Sequence, residues 1–210
     1  MRARSPISSA PIDERLRDGR EACHAHLQQA AGGVRRPDAI ARCRCGAVEI
    51  AFAGAPIASL LCHCSDCQEG AARLATLQGS GPIVDAAGGT AYVTWRKDRM
   101  RVLRGQERLE SIRLRERSAT ARRYAACCGT PMVATFDDAR HWVTVYRGCL
   151  VSPVPPPEWR IMTRCVAAGA RFPDGIPRFR QIPVAMVFRL LSSRIAMAFG
   201  RGASGRAHRP

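Results

Sequence analysis

Lysine is almost missing from this chain of 210 residues: among its 33 basic residues only Lys97 is a lysine, and the rest are arginine. Acidic residues are also scarce, 17 in all, which leaves a formal net charge of +16. A surplus of that size attracts phosphate generically, without sequence preference. The arginine-for-lysine skew reads as coding bias as much as a binding surface, so no specific nucleic-acid partner is expected. No run of 18 or more uncharged apolar residues occurs, which argues against a membrane-spanning helix. The first thirty residues are charged throughout (Arg2, Arg4, Asp13, Glu14, Arg15) and carry no apolar run before a small-residue cleavage site. A secretory leader is therefore not expected, and a reducing cytoplasm is the expected compartment. Neither Gly79-Ser80-Gly81-Pro82 nor Gly88-Gly89 is followed by Lys-Ser/Thr, so no phosphate-cradling loop is indicated. No internal repeat occurs at a fixed period.

Three segments can be drawn. Residues 1–40 read as an N-terminal extension with a short helix over Asp13–Gln29, stopped by Gly32-Gly33. That helix carries Cys23, His24 and His26, read as exposed side chains rather than ligands. Residues 41–150 read as the central domain, mainly β. Val48, Ile50 and Phe52 alternate with smaller or polar neighbours, the period-two signal of a half-buried strand. Tyr92–Trp95, Arg101–Leu103, Ser111–Arg115 and His141–Arg147 read the same way. Residues 151–210 begin with the stiff stretch Ser152-Pro153-Val154-Pro155-Pro156-Pro157 and hold ten arginines against Glu158 and Asp174. Val184, Phe188, Leu191 and Ile195 then predict a C-terminal helix starting after Pro183, with one apolar stripe. The stripe can face the core, a partner subunit or a membrane surface, and packing on its own domain is the plainest expectation.

The ten cysteines carry the strongest signal. In a cytosolic chain of this size, metal or redox chemistry is a better expectation than a disulfide framework. Cys43-Arg-Cys45 and Cys62-His-Cys64 hold thiols too close for an easy disulfide, yet each pair can turn both sulfurs toward one ion. Cys64-Ser-Asp-Cys67 is a C-x-x-C knuckle, the common spacing for zinc thiolates. Structural zinc takes four ligands, whereas catalytic zinc keeps three and an open position. Cys43 and Cys45 need two more ligands, for which Cys127 and Cys128 are the natural candidates. Cys62, Cys64 and Cys67 form a set of three, leaving a fourth place for water or an external thiol. Ser65 is the expected cap of a helix over Gln68–Leu77, with Cys67 near its first turn, where the macrodipole favours a thiolate. His63 is expected to point away from the metal. Cys149 and Cys165, like Cys23, read as small apolar fillers.

Three stretches resemble the glutathione-dependent formaldehyde-activating enzyme family, which includes centromere protein V: Cys43-Arg-Cys-Gly-Ala-Val48, Cys62-His-Cys-Ser-Asp-Cys67 and Arg122-Arg-Tyr-Ala-Ala-Cys-Cys-Gly-Thr-Pro131. The resemblance covers about residues 41–150. It implies a zinc-bound β-tent of small antiparallel sheets, a structural zinc on the C-x-C and late cysteines, and a second zinc on the C-x-C-x-x-C set. The family's late motif is Cys-x-x-Cys-Gly; here its second cysteine matches Cys128, but its first falls on Ala125. Either the Cys127-Cys128 doublet replaces the knuckle, or that site has only three thiolates. Tyr124-Ala-Ala-Cys-Cys128 and Gly88-Gly89-Thr90 are more similar to a bacterial branch of the superfamily than to the founding enzyme, which condenses glutathione with formaldehyde.

Three functions follow as expectations. The first is a zinc-dependent enzyme of the carbon–sulfur lyase type, acting on a glutathione-like thiol adduct, with Cys62, Cys64 and Cys67 at the catalytic centre. The second is a non-catalytic zinc module that docks an acidic partner or anionic surface through its arginine-rich tail. The third is a thiol redox or metal-trafficking protein. The oligomeric state is not written in the sequence.

Overall fold

A computed structural model describes residues 37–172 and 175–204, with side chains as far as residue 199. The Asp13–Gln29 helix, and with it Cys23, His24 and His26, lies outside the described residues. The chain divides into two units, residues 1–36 and 37–210, and everything below concerns the second.

Two sheets make this unit mainly β. The smaller has the order β1-β2-β5, with β1 over Ala39–Arg42, β2 over Glu49–Phe52 and β5 over Met100–Arg104. The larger holds seven strands. Its members are β3 (Ala58–Cys62), β4 (Thr90–Arg96), β6 (Leu109–Ile112), β7 (Thr120–Ala125), β8 (Thr130–Phe136), β9 (Trp142–Tyr146) and β10 (Trp159–Ile161). Their order across the sheet is β10-β3-β4-β9-β8-β7-β6. Every pairing is antiparallel except β10 with β3, which is parallel. Two helices complete the unit: α1 over Ser65–Ala75 and α2 over Val184–Ser204.

The sheets meet around Trp95 of β4. Its ring is buried and stacks on Phe52 of β2 with centroids 4.9 Å apart, while its Nε1 donates to the Gly54 carbonyl at 3.1 Å. Val48, Ile50, Val93, Met132, Val133 and Val145 close the core around that pair. Burial on this scale, about 25 cal/mol per Å² of apolar surface, is the main favourable term of the fold.

Several expected elements take a different form. The expected Ser111–Arg115 strand is shifted: β6 ends at Ile112, and Arg113 leaves the ladder to donate to the Ser118 carbonyl and pair with Asp137. Helix α1 begins at Ser65, so Ser65 is its first residue and Cys64 is the cap, its Sγ accepting from the Cys67 N–H at 3.3 Å. A thiol has taken the place expected for a hydroxyl.

The helix after Pro183 forms as expected, but the Val184, Phe188, Leu191 and Ile195 stripe is exposed. Met186 and Met197 are the buried residues, with Leu190 half-buried beside them. Ser193 on the same face meets the buried His141, Oγ to Nε2 at 2.7 Å. At 100° per residue, Met186, Leu190 and Met197 lie roughly opposite the expected stripe. The helix thus has two apolar faces, and periodicity alone cannot choose between them.

Replacing Trp95 by alanine should cost about 3–5 kcal/mol, the range for deleting a buried aromatic. Leu103→Ala, at a site 42% exposed in β5, should change stability by less than about 0.5 kcal/mol. Urea unfolding of both variants checks the contrast, and equal midpoints would remove Trp95 from its central place.

Candidate metal centres

The loop joining β1 to β2 carries Cys43 and Cys45, and the turn joining β7 to β8 carries Cys127 and Cys128. Cys45 Sγ lies 3.3 Å from Cys127 Sγ, Cys43 Sγ lies 3.6 Å from Cys45 Sγ and 4.0 Å from Cys127 Sγ. All four sulfurs, that of Cys128 included, lie within 4.8 Å of one another. Sulfurs placed about 2.3 Å from a zinc ion form a tetrahedron with edges of about 3.8 Å, so these separations fit a four-thiolate site.

Local structure explains the approach. A bulge in β7 between Arg123 and Tyr124 sets Tyr124 opposite Pro131, which has no N–H to offer the ladder. The chain then turns tightly, with the Ala125 carbonyl accepting from Cys128 N at 3.2 Å and Gly129 N at 2.8 Å. Gly129 sits at φ +65°, and a Cβ there would come within 2.5 Å of the Gln78 carbonyl oxygen. Ala125, where the family motif has its first late cysteine, is fully buried at the end of β7. The Cys127 sulfur stands in the cluster that Ala125 does not supply.

Backbone and hydroxyl donors converge on the sulfurs. Val48 N donates to Cys43 Sγ at 3.2 Å, and Cys128 Sγ lies 3.1 Å from Thr130 Oγ1. Burial works against ionising Cys128, yet the Thr130 hydroxyl and the N–H groups of Cys45 and Thr130 outweigh it and bring the thiol down to about 6.

The second group sits where β3 gives way to α1. Cys62 is the last residue of β3, buried between Thr90 of β4 and Ile161 of β10. Cys64 caps the helix and Cys67 lies in its first turn. Cys62 and Cys64 sulfurs are 3.6 Å apart, and all three lie within 4.8 Å of one another. Hydrogen bonds from the Cys62 and Cys67 thiols pull Cys64 down to about 3, and the Cys62 thiol is pushed far up by the same contact with Cys64. In each group one thiol is thus held well below the usual range, and both groups could hold a metal ion.

The surroundings of the two groups differ. Cys45 and Cys127 are exposed, Cys43 is buried, and the four sulfurs lie within 4.8 Å of one another. Cys127 and Cys128 line a polar cavity of about 530 Å³ with Arg44, Gln78 and Glu110, and Cys62, Cys64 and Cys67 line another of about 250 Å³. Leu60, Tyr92, Phe136, Trp142 and Ile161 give it largely apolar walls, while Arg122 and Asp66 bring charge to it.

His63 turns away from the sulfurs, as expected. It is fully buried, with Nδ1 3.2 Å from the Ala87 carbonyl and Nε2 3.0 Å from Arg160 Nη1. Arg160 is itself buried and pairs with Asp85 at 2.7 Å. Asp85 also accepts from the N–H groups of Ala87 and Gly89 at 3.0 and 2.8 Å. Burial raises the Asp85 pKa, but the Gly89 N–H and the Arg160 guanidinium more than offset that and hold the carboxyl below its usual range. Gly89 is required here, because a Cβ would lie 2.6 Å from His63 Cε1. Cys149 is a buried filler, as expected, its Sγ near the Tyr146 and Met132 carbonyls. The Cys165 carbonyl accepts from Gln68 of α1.

Sequence reasoning gave no role to Arg122, Arg160 or Asp85. Arg122 and Arg123 stand side by side in a motif quoted for its cysteines, and nothing local says that only Arg122 turns into the interior, where it is 3% exposed.

No curated protein matches the chain. Among solved structures, a crystal structure of a Rhodobacter sphaeroides protein is similar at 22% identity with a TM-score of 0.39, covering 55% of this chain and 91% of that one. The family model of the glutathione-dependent formaldehyde-activating enzyme matches residues 38–82, so the resemblance to that family holds over the stretch that carries Cys43, Cys45, Cys62, Cys64 and Cys67.

Proposed function

We propose that the chain is a two-zinc protein of the β-tent kind, with a structural ion on Cys43, Cys45, Cys127 and Cys128. A second ion on Cys62, Cys64 and Cys67 would serve a carbon–sulfur lyase type of reaction on a glutathione-like thiol adduct. The observation that carries this reading is the difference in ligand count and setting. Four sulfurs lie close enough together to close a tetrahedron around one ion, while three beside a largely apolar cavity would leave one position open. A zinc ion held by Cys62, Cys64 and Cys67 would supply Lewis acidity, which lowers the pKa of a thiol substrate. The chain's own residues do the rest. Cys64 is held as thiolate by its neighbours and by the first turn of α1, which its sulfur caps. The apolar walls keep water from competing for the fourth place.

The structural role of the first group follows from its connections. It ties the β1–β2 loop of the smaller sheet to the β7–β8 turn of the larger one. Binding free energy gathered there is folding free energy. The boundaries proposed for the zinc domain, 41–150, leave β1 and β10 partly or wholly outside, although both pair into the sheets.

A second reading is favoured by the outward face of α2. Val184, Phe188, Leu191 and Ile195 are more than half exposed. Arg189 and Arg194 flank them, and the helix contains no acidic residue. A helix of that kind lies in an anionic lipid surface, and this reading needs no catalysis.

Elemental analysis of the purified protein should find about two zinc per chain, one in each sulfur group. Cys45→Ser should lose one zinc and most of its stability, since structural zinc contributes on the order of 10 kcal/mol in zinc-finger peptides. Cys67→Ser should fold, keep the other zinc and lose any thiol-dependent activity. Both variants folding equally well would refute the division between the groups. For the second reading, phosphatidylserine vesicles should sediment the wild type, and Phe188→Ser with Ile195→Ser should abolish it. Retention of the double variant on the vesicles would discard the helix as the contact.

A further inference from the structure

Arg122, on the wall of the cavity beside Cys62, Cys64 and Cys67, has a buried donor that the fold does not use. Arg122 points inward from β7, and its guanidinium crosses over α1. Nη2 donates to the Asp66 carbonyl at 2.7 Å. Nη1 is buried without a hydrogen-bond partner among the described residues. An unspent donor on a buried cation is costly, because the group has lost water and gained nothing in exchange.

The position is built into the neighbouring helix. A Cβ on Gly70 would lie 2.1 Å from Arg122 Nε and 2.7 Å from its Cδ, so only glycine there lets the side chain through. Arg140, the other arginine on the cavity wall, is already engaged: its guanidinium donates to Asp138 at 2.5 to 2.9 Å and stacks over Phe136 at 3.8 Å. Asp66 carries the opposite charge and faces Arg115 at 3.5 Å. Among the described lining residues, Arg122 thus supplies the cation still available to a ligand.

We infer that Arg122 Nη1 is the seat of a single carboxylate, and that the cavity takes a small thiol whose short apolar chain ends in that group. This rests on the open-position reading of the three-sulfur site and narrows its substrate class. The sulfur end would go to Cys62, Cys64 and Cys67, the carboxylate to Arg122, and the chain between them against Leu60, Tyr92 and Ile161. Glutathione is a poorer match, because it brings two carboxylates and an ammonium to one available cation in about 250 Å³.

The test uses full-length protein loaded with Co²⁺, whose absorption bands report thiol binding without any turnover. Titrations with 3-mercaptopropionate, propanethiol, cysteamine and glutathione give a ranking that needs no mutation. The carboxylated thiol should bind roughly ten- to a hundredfold more tightly than propanethiol, the worth of a charge-assisted hydrogen bond. Cysteamine should be the weakest of the four. Arg122→Gln should bring the first two thiols to within about twofold of each other, and Gly70→Ala, which displaces the guanidinium, should do the same. Equal binding of the first two thiols to the wild type overturns the Arg122 assignment, as does an unchanged preference in Arg122→Gln, or glutathione binding tighter than 3-mercaptopropionate. If no thiol alters the cobalt spectrum, the failure lies one step earlier, in the open position itself.

Discussion

Cys45 and Cys127 are 82 residues apart in the chain and bring their sulfurs to 3.3 Å. With Cys43 and Cys128 alongside, four acidic groups share a space in which two thiolates repel strongly and neutral thiols make only weak hydrogen bonds. A divalent cation would resolve that conflict by accepting all four as ligands. The geometry depends on a short list of local devices. These are the β7 bulge, the lack of an N–H at Pro131, and the left-handed Gly129 that brings the turn against Gln78. Each aims the late cysteines back at the early loop. The consequence is a second link between the two sheets, besides the Phe52–Trp95 stack.

The second group obeys the same chemistry under a different constraint. Cys62 ends a strand that is buried along its whole length, so its sulfur has one direction available. Cys64 serves two purposes at once, capping α1 through Cys67 N and standing within reach of the other two sulfurs. A hydroxyl at the cap would satisfy the helix equally well. Only a thiol satisfies the helix and a soft metal together. The spacing C-x-C-x-x-C is thus what results when a strand end and a helix cap are asked to face one point.

Much of this was legible in the sequence, for reasons that can be assigned residue by residue. The cysteine grouping was readable because metal spacing is local within each motif. The strands around Ile50, Tyr92 and Val143 were readable from alternation or from clustered β-branched and aromatic residues. β3 and β8 escaped because Ala58–Cys62 and most of Thr130–Phe136 are buried on both faces, and a strand without a solvent side has no period-two signal. The cap fell on Cys64 rather than Ser65 because propensity tables give the hydroxyl precedence, and here the sulfur cluster fixes the start of the helix. Packing of the α2 stripe on its own domain, the plainest of the three expectations, is not what forms: both faces are apolar, and Met186 and Met197 take the buried side.

Arg122 and Arg160 were invisible at the sequence level for one shared reason. In a chain with 32 arginines, as 33 basic residues less one lysine, no single arginine stands out. What separates these two is that both are nearly fully buried, and a glycine shapes the surroundings of each. Gly70 makes room for Arg122, and Gly89 makes room for His63, on which Arg160 bears. Arg160 finds Asp85 and His63, so its charge is spent within the fold. Arg122 finds a backbone carbonyl and three cysteines nearby. Three thiolates on a divalent ion would leave one net negative charge, and an added thiolate would make it two. A buried guanidinium beside them would lower the electrostatic cost of that second charge, and its Nη1 is unused within the described residues. Of the two buried arginines, the chemistry of the site turns on Arg122, whose charge the fold does not spend on a carboxylate.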